Sequence, residues 1–169
     1  SQHHIDGNSC DLEINLYHSF NECYYPEPEK KSEDCEHKAG DLEDHNFTKG
    51  VIVSILVNKN KEHKLSKPNR FISQFITNKK FHESFKKNET KNITVGKDWN
   101  IVDLLPDNKK YYSYDGSLPM PPCTQNYKWV VFEEPILLLD EYINIFRSVG
   151  NPIGARNVHP LNGRIVMYN

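Results

Sequence analysis

The chain has 169 residues, 21 basic and 23 acidic side chains, and a formal charge of −2. Hydrophobic residues make up 37% and charged residues 26%, which suits one lean domain. The near-zero charge argues against a general nucleic-acid or membrane-surface binder, and no apolar run approaches the ~20 residues that span a bilayer.

Leu12, Ile14 and Leu16 alternate with Glu13, Asn15 and Tyr17, so Leu12 to His18 reads as a strand. Residues 21–49 are polar, with two prolines and two cysteines, and read as a long insertion loop. Cys23 and Cys35 are disulfide candidates that would staple it, worth about 3 kcal/mol by loop entropy. Val51 to Val57 is a continuous apolar run and is predicted as a strand buried on both faces. Phe71 to Phe85 begins with Phe71, Ile72, Phe75 and Ile76 at helical spacing, and Lys86 to Asp98 reads as polar loop. Ile101 to Pro106 suits a turn or 3₁₀ segment. Tyr111 to Tyr114 alternates and runs into Asp115-Gly116, a turn signal. Trp129 to Phe132 is strand, Asp140 to Arg147 is helix, and Ile165 to Tyr168 is a last short strand. The expected fold is mainly β with short helices.

Two biases accompany this pattern. Asparagine is abundant and Lys outnumbers Arg about four to one, as an AT-rich coding genome produces without functional cause. Three N-x-T sequons, at Asn46, Asn88 and Asn92, are glycosylation candidates. With four cysteines and no C-x-x-C zinc spacing, they favour a secreted or extracellular glycoprotein. The opening Ser1-Gln2-His3-His4 has neither the basic head nor the apolar stretch of a signal peptide.

Three separated stretches carry a family resemblance. Ser1-Gln2-His3-His4-Ile5-Asp6-Gly7 followed by Glu13-Ile14-Asn15-Leu16-Tyr17-His18 resembles S-E-H-x-x-[DN]-G…E-[LI]-H-L-x-H. Tyr112 to Cys123, then Trp129, resembles Y-x-Y-x-G-S-L-T-T-P-P-C…W, and Pro160 to Arg164 resembles P-L-N-x-R. In this order they resemble the alpha-type carbonic anhydrases.

The resemblance implies a large, mostly antiparallel central sheet and a partial domain over residues 1–169, with the first third of the family domain outside it. In the family, three histidines hold zinc, which lowers the pKa of its bound water to ~7 for attack on CO₂. Two of them come from an H-x-H strand upstream of the Ser1 segment, and the third sits where this chain has Asn15. A threonine and a glutamate orient the hydroxide; here those positions are Pro119, with no hydroxyl or N–H, and Gln2, which is neutral. Glu13 retains the carboxylate that orients the third ligand. Val53, Leu118, Met120 and Trp129 match the CO₂-pocket wall. His3 and His18 match structural histidines, and His4, His37, His45, His63 and His82 read as solvated. Cys123 matches a position that pairs in secreted members with an upstream cysteine; pairing with Cys10 is the alternative within this chain.

Three losses in one mechanism (Asn15, Gln2, Pro119) imply a carbonic-anhydrase-related protein without efficient CO₂ hydration. Such members bind a protein or a surface glycan, with residues 21–49 as the natural contact loop. The alternative is a divergent zinc lyase, acting on CO₂ and bicarbonate. Asn15 would then be an amide ligand beside two upstream histidines, as in one protist branch of the superfamily. Zinc is the implied cofactor only where those upstream ligands exist.

Overall fold

The computed structural model describes residues 1–19, 48–60, 69–76, 94, 96–149 and 157–169. The sequon residues Asn46, Asn88 and Asn92, Cys23, Cys35, residues 21–47 of the expected insertion, residues 77–85 of the expected helix and His37, His45, His63 and His82 lie outside these residues.

A short hairpin opens the chain: β1 (His4–Ile5) pairs with β2 (Asn8–Ser9) through Asp6 and Gly7. Both turn residues have positive φ, 50° and 77°, the conformation a two-residue primed turn requires. β3 (Leu12–Ser19) then pairs antiparallel with β4 (Gly50–Lys59) in unbroken register, from Leu12 opposite Val57 to Ser19 opposite Gly50. The short helix α1 (Arg70–Ile76) starts at Asn69, whose Oδ1 accepts from the Ile72 N–H at 3.0 Å. A 3₁₀ turn covers Ile101–Leu104 and is capped by Asn100. β5 (Tyr111–Ser117), β6 (Gln125–Phe132), β7 (Ile136–Leu138), α2 (Asp140–Val149) and β8 (Met167–Tyr168) complete the described elements.

Six strands form one mixed sheet in the order β3-β4-β6-β5-β8, with β7 also on β4. Three of its pairings are antiparallel, while β6 and β7 run parallel to β4. Both faces of β4 are covered, as its apolar run requires. On one face Ile55 and Val57 pack with Phe71, Ile72 and Ile76 of α1, Leu104, Leu138, and Tyr142 and Ile143 of α2. On the other, Ile52 and Leu56 pack with Leu118, Tyr127, Trp129 and Val131.

Two expectations change. Asp115-Gly116 is not a turn: β5 continues through it, Asp115 opposite Lys128 and Gly116 opposite Tyr127. The glycine serves close packing instead, since a Cβ there would come within 2.8 Å of the Trp129 ring. The last strand shrinks to Met167–Tyr168, and Ile165 stands 81% exposed. β7 went unread, because Ile-Leu-Leu-Leu abuts a helix and carries no periodicity of its own.

Candidate functional site

Strand alternation sends Glu13 and Asn15 to one face of the sheet, opposite Leu56 and Ser54 respectively. Leu12, Ile14 and Leu16 go to the other face and pack against the helices. Glu13 is the centre of the polar face, with a side chain only 3% exposed. Its Oε2 accepts the backbone N–H groups of Gln2 (2.6 Å) and His3 (2.9 Å). Its Oε1 accepts from the Ser54 hydroxyl at 2.9 Å and from His3 Nδ1 at 2.7 Å. Burial alone would raise this carboxyl. The His3 side-chain bond and charge, the His3 backbone N–H and the Ser54 hydroxyl outweigh burial and hold it at about 2. Glu13 therefore stays ionised at neutral pH.

His3 Nδ1 faces the Glu13 carboxylate, and Nε2 on the other side of the ring lies 2.7 Å from the Tyr114 hydroxyl. The His3 ring also lies 4.8 Å from Trp129, whose indole stacks on Tyr114 at 6.2 Å. Trp129 Nε1 donates to the Ser117 carbonyl at 3.0 Å. Burial pushes the Tyr114 hydroxyl up to about 12; the Arg164 guanidinium, 5.3 Å above its ring, opposes this and the Glu13 charge adds to it. With both ring nitrogens engaged, His3 is a structural histidine in a Glu13–His3–Tyr114 chain.

Asn15 stands two residues along from Glu13. A side-chain hydrogen bond joins it to Tyr17, but its Oδ1 is buried with no partner. An orphaned buried acceptor is uncommon and calls for an explanation.

These groups lie beside a groove of about 640 Å³. Gln2, His3, Tyr114, Leu118, Pro119 and Trp129 line it from the sheet side, and Val158, Leu161, Arg164 and Val166 from the closing segment. Of the residues matched to the wall, Leu118 (5% exposed) and Trp129 (3%) line this groove. Val53 does not: it faces the opposite side and packs with the helical core, and Ile52 occupies the site face. Register explains the error, because shifting a strand by one residue exchanges its faces. Met120 is 61% exposed and does not line the groove. Gln2 contributes its backbone N–H to Glu13, and His18 is exposed at the end of β3. No disulfide joins Cys10 to Cys123.

Ser54, Tyr114 and Arg164 escaped the sequence reading. Ser54 had a signal: a fully buried hydroxyl inside an otherwise apolar run needs a partner. Tyr114 meets His3 across a separation of 111 residues, and Arg164 lies over the Tyr114 ring, contacts that no local pattern reveals.

Fold and site together define a β-sheet protein with a carboxylate–histidine–tyrosine chain beside an open groove. Residues 1–169 match the family described as eukaryotic-type carbonic anhydrase, and the chain belongs to that family. It is 42% identical over 68 residues to a carbonic anhydrase of Pectobacterium atrosepticum, covering 40% of this chain and 28% of that protein. It is 40% identical over 84 residues to mouse carbonic anhydrase 6, covering 45% of this chain and 26% of that one. Among solved structures it resembles the alpha-carbonic anhydrase of Thermovibrio ammonificans bound to the inhibitor sulfanilamide. That likeness has a TM-score of 0.55 and 28% identity, over 70% of this chain and 47% of the other. The chain thus spans under a third of the curated relatives it matches first and about half of its structural neighbours.

The family implies zinc. The described residues do not by themselves make a site for it. No three His, Cys, Asp or Glu side chains come together among them. Both His3 nitrogens and both Glu13 oxygens are engaged, which leaves the neutral oxygen of Asn15 as the donor at the ligand position.

Proposed function

We propose that this chain is a carbonic-anhydrase-related module that does not hydrate CO₂ efficiently and acts by binding a protein or glycan partner. One observation carries the reading. Glu13 is fully bonded to Gln2, His3 and Ser54, while the ligand position beside it holds an amide. The orienting carboxylate has become a scaffold for the Ser1–Ile5 segment. Pro119 lines the groove but has no hydroxyl to take or pass a proton, and Gln2 cannot replace a carboxylate acceptor. The sequons at Asn46, Asn88 and Asn92 and the two cysteines within residues 21–49 support an extracellular setting, with residues 21–49 as the contact region. Among the described residues no helix is long and apolar enough to cross a membrane.

Stopped-flow CO₂ hydration by the full-length, zinc-loaded protein tests this. The expected rate is within about twofold of buffer. An enhancement of roughly 10³ or more overturns the reading.

The unpartnered Asn15 Oδ1 favours a second reading, a divergent zinc lyase in which that oxygen is one ligand beside two upstream histidines. An amide oxygen is a poorer zinc donor than imidazole. Metal analysis discriminates: one zinc per chain, lost in Asn15→Ala, supports the lyase, and no bound zinc in the full-length protein ends it.

A further inference from the structure

The closing segment carries the sequence's single Asn-Gly pair, Asn162-Gly163. The pair is the apex of a tight turn, in which the Arg164 N–H donates to the Leu161 carbonyl at 3.0 Å. Both apex residues have positive φ, 51° and 77°, and both are exposed. Among the described residues, neither the Asn162 side-chain amide nor the Gly163 N–H has a hydrogen-bond partner. A Cβ at Gly163 would meet nothing within 4 Å, so the space around this residue is open. A carboxamide carbon and a main-chain nitrogen thus stand next to each other in the chain, unbonded and unshielded.

Comparable pairs elsewhere are shielded. Asn126 shares the left-handed backbone, with φ 70°, but it precedes Tyr127, a bulky residue 5% exposed within β6. Asp115-Gly116 has the glycine, but β5 holds it against the Trp129 ring. The Asn162 turn also matters to the groove, because Arg164 closes it. Arg164 Nε donates to the Leu161 carbonyl at 2.9 Å and Nη2 to the Pro160 carbonyl at 3.1 Å. The same guanidinium lies over the Tyr114 ring.

We propose that Asn162-Gly163 is a spontaneous modification site: a succinimide forms there and opens to an aspartyl or isoaspartyl residue, and the isoaspartyl form releases Arg164 from Tyr114. The Gly163 nitrogen gives up its proton and bonds to Asn162 Cγ, and the side-chain nitrogen leaves as ammonia. Water then opens the ring. Attack at the side-chain carbonyl gives the aspartyl residue; attack at the main-chain carbonyl leaves the chain running through Cγ, the isoaspartyl linkage. That linkage lengthens the main chain by one methylene at the apex, which the Arg164–Leu161 turn bond cannot span unchanged. The site reacts whether or not the chain hydrates CO₂.

Ageing the whole chain in mildly alkaline buffer tests this. Peptide mass mapping is expected to show the amide-to-acid mass change at Asn162 at least about tenfold faster than at any other described asparagine. An isoaspartyl methyltransferase is expected to methylate the aged chain at this turn, and not to do so in aged Asn162→Gln. In the isoaspartyl form, separated by ion exchange, the Arg164 Nε–H is expected to exchange with water at least about tenfold faster than in the fresh chain. Asn162→Asp adds the charge without the methylene and is expected to change that exchange by less than about twofold. The proposal is overturned if Asn162 reacts no faster than the other described asparagines. It is equally overturned if the isoaspartyl form keeps the fresh chain's Arg164 exchange, or if Asn162→Asp alone speeds it by about tenfold.

Discussion

The two faces of β4 differ in how they are closed. On the helical face, Ile55, Val57, Leu138 and Ile143 are each at most 1% exposed beneath α1 and α2. On the polar face, Ile52 and Ser54 are as deeply buried, yet the layer above them stops at a groove. Its rim leaves Val158 56% and Leu161 57% exposed. The first face is held by non-directional burial; the second adds to its own apolar cluster a directional network on one carboxylate. Such a network fixes the Ser1–Ile5 segment against the sheet. Asn15, Gln2 and Pro119 all belong to the second face or its groove, so the chemistry can be altered there while the helical face keeps the fold.

Substitutions can break this contrast, and the largest effect is expected on the helical face. Ile55→Ala removes a fully buried side chain and should cost about 2–5 kcal/mol, read as a lower urea midpoint. A loss below about 1 kcal/mol would mean that this face is not the main core.

Acid titration comes next and bears on the polar face. The Glu13 carboxyl is held at about 2 against an ordinary value of 4.5, so its folded-state pKa is depressed. Its stabilisation is fully present above pH 4.5 and disappears as pH falls toward 2. The shift corresponds to about 3 kcal/mol. Glu13→Gln should unfold more easily at pH 7 and lose most of this acid dependence. A pH profile of the variant parallel to that of the wild type would remove Glu13 from the centre of the network.

Ser54→Ala takes away one of the four donors and should cost about 1–3 kcal/mol, measured by denaturant unfolding at pH 7. Met120→Ala should change stability by less than about 0.5 kcal/mol, because the side chain is largely in solvent. A cost above about 2 kcal/mol would return Met120 to the pocket wall.

The helical face was the more legible in the sequence. Leu12, Ile14 and Leu16 announce their shared face by period two, and Tyr142, Ile143 and Phe146 lie on one face of α2 by helical spacing. The polar face was legible only where a motif carried it: Gln2, Glu13, Asn15, Leu118 and Pro119 were found by resemblance. Val53 was placed on the wrong face because a run of apolar residues has no alternation to fix its register. Gly116 looked like a turn residue because its reason for being glycine, the Trp129 ring, is thirteen residues away across the sheet. Tyr114 and Arg164 depend on contacts that only the folded sheet creates.

The central claim is that Asn15 and Pro119 leave this face without hydratase chemistry. The most direct measurement is CO₂ hydration by the full-length, zinc-loaded protein beside its Asn15→Ala variant at equal concentration. Both are expected to run at the buffer rate. A wild-type rate far above buffer that falls in Asn15→Ala would contradict the claim and make Asn15 part of a working metal site.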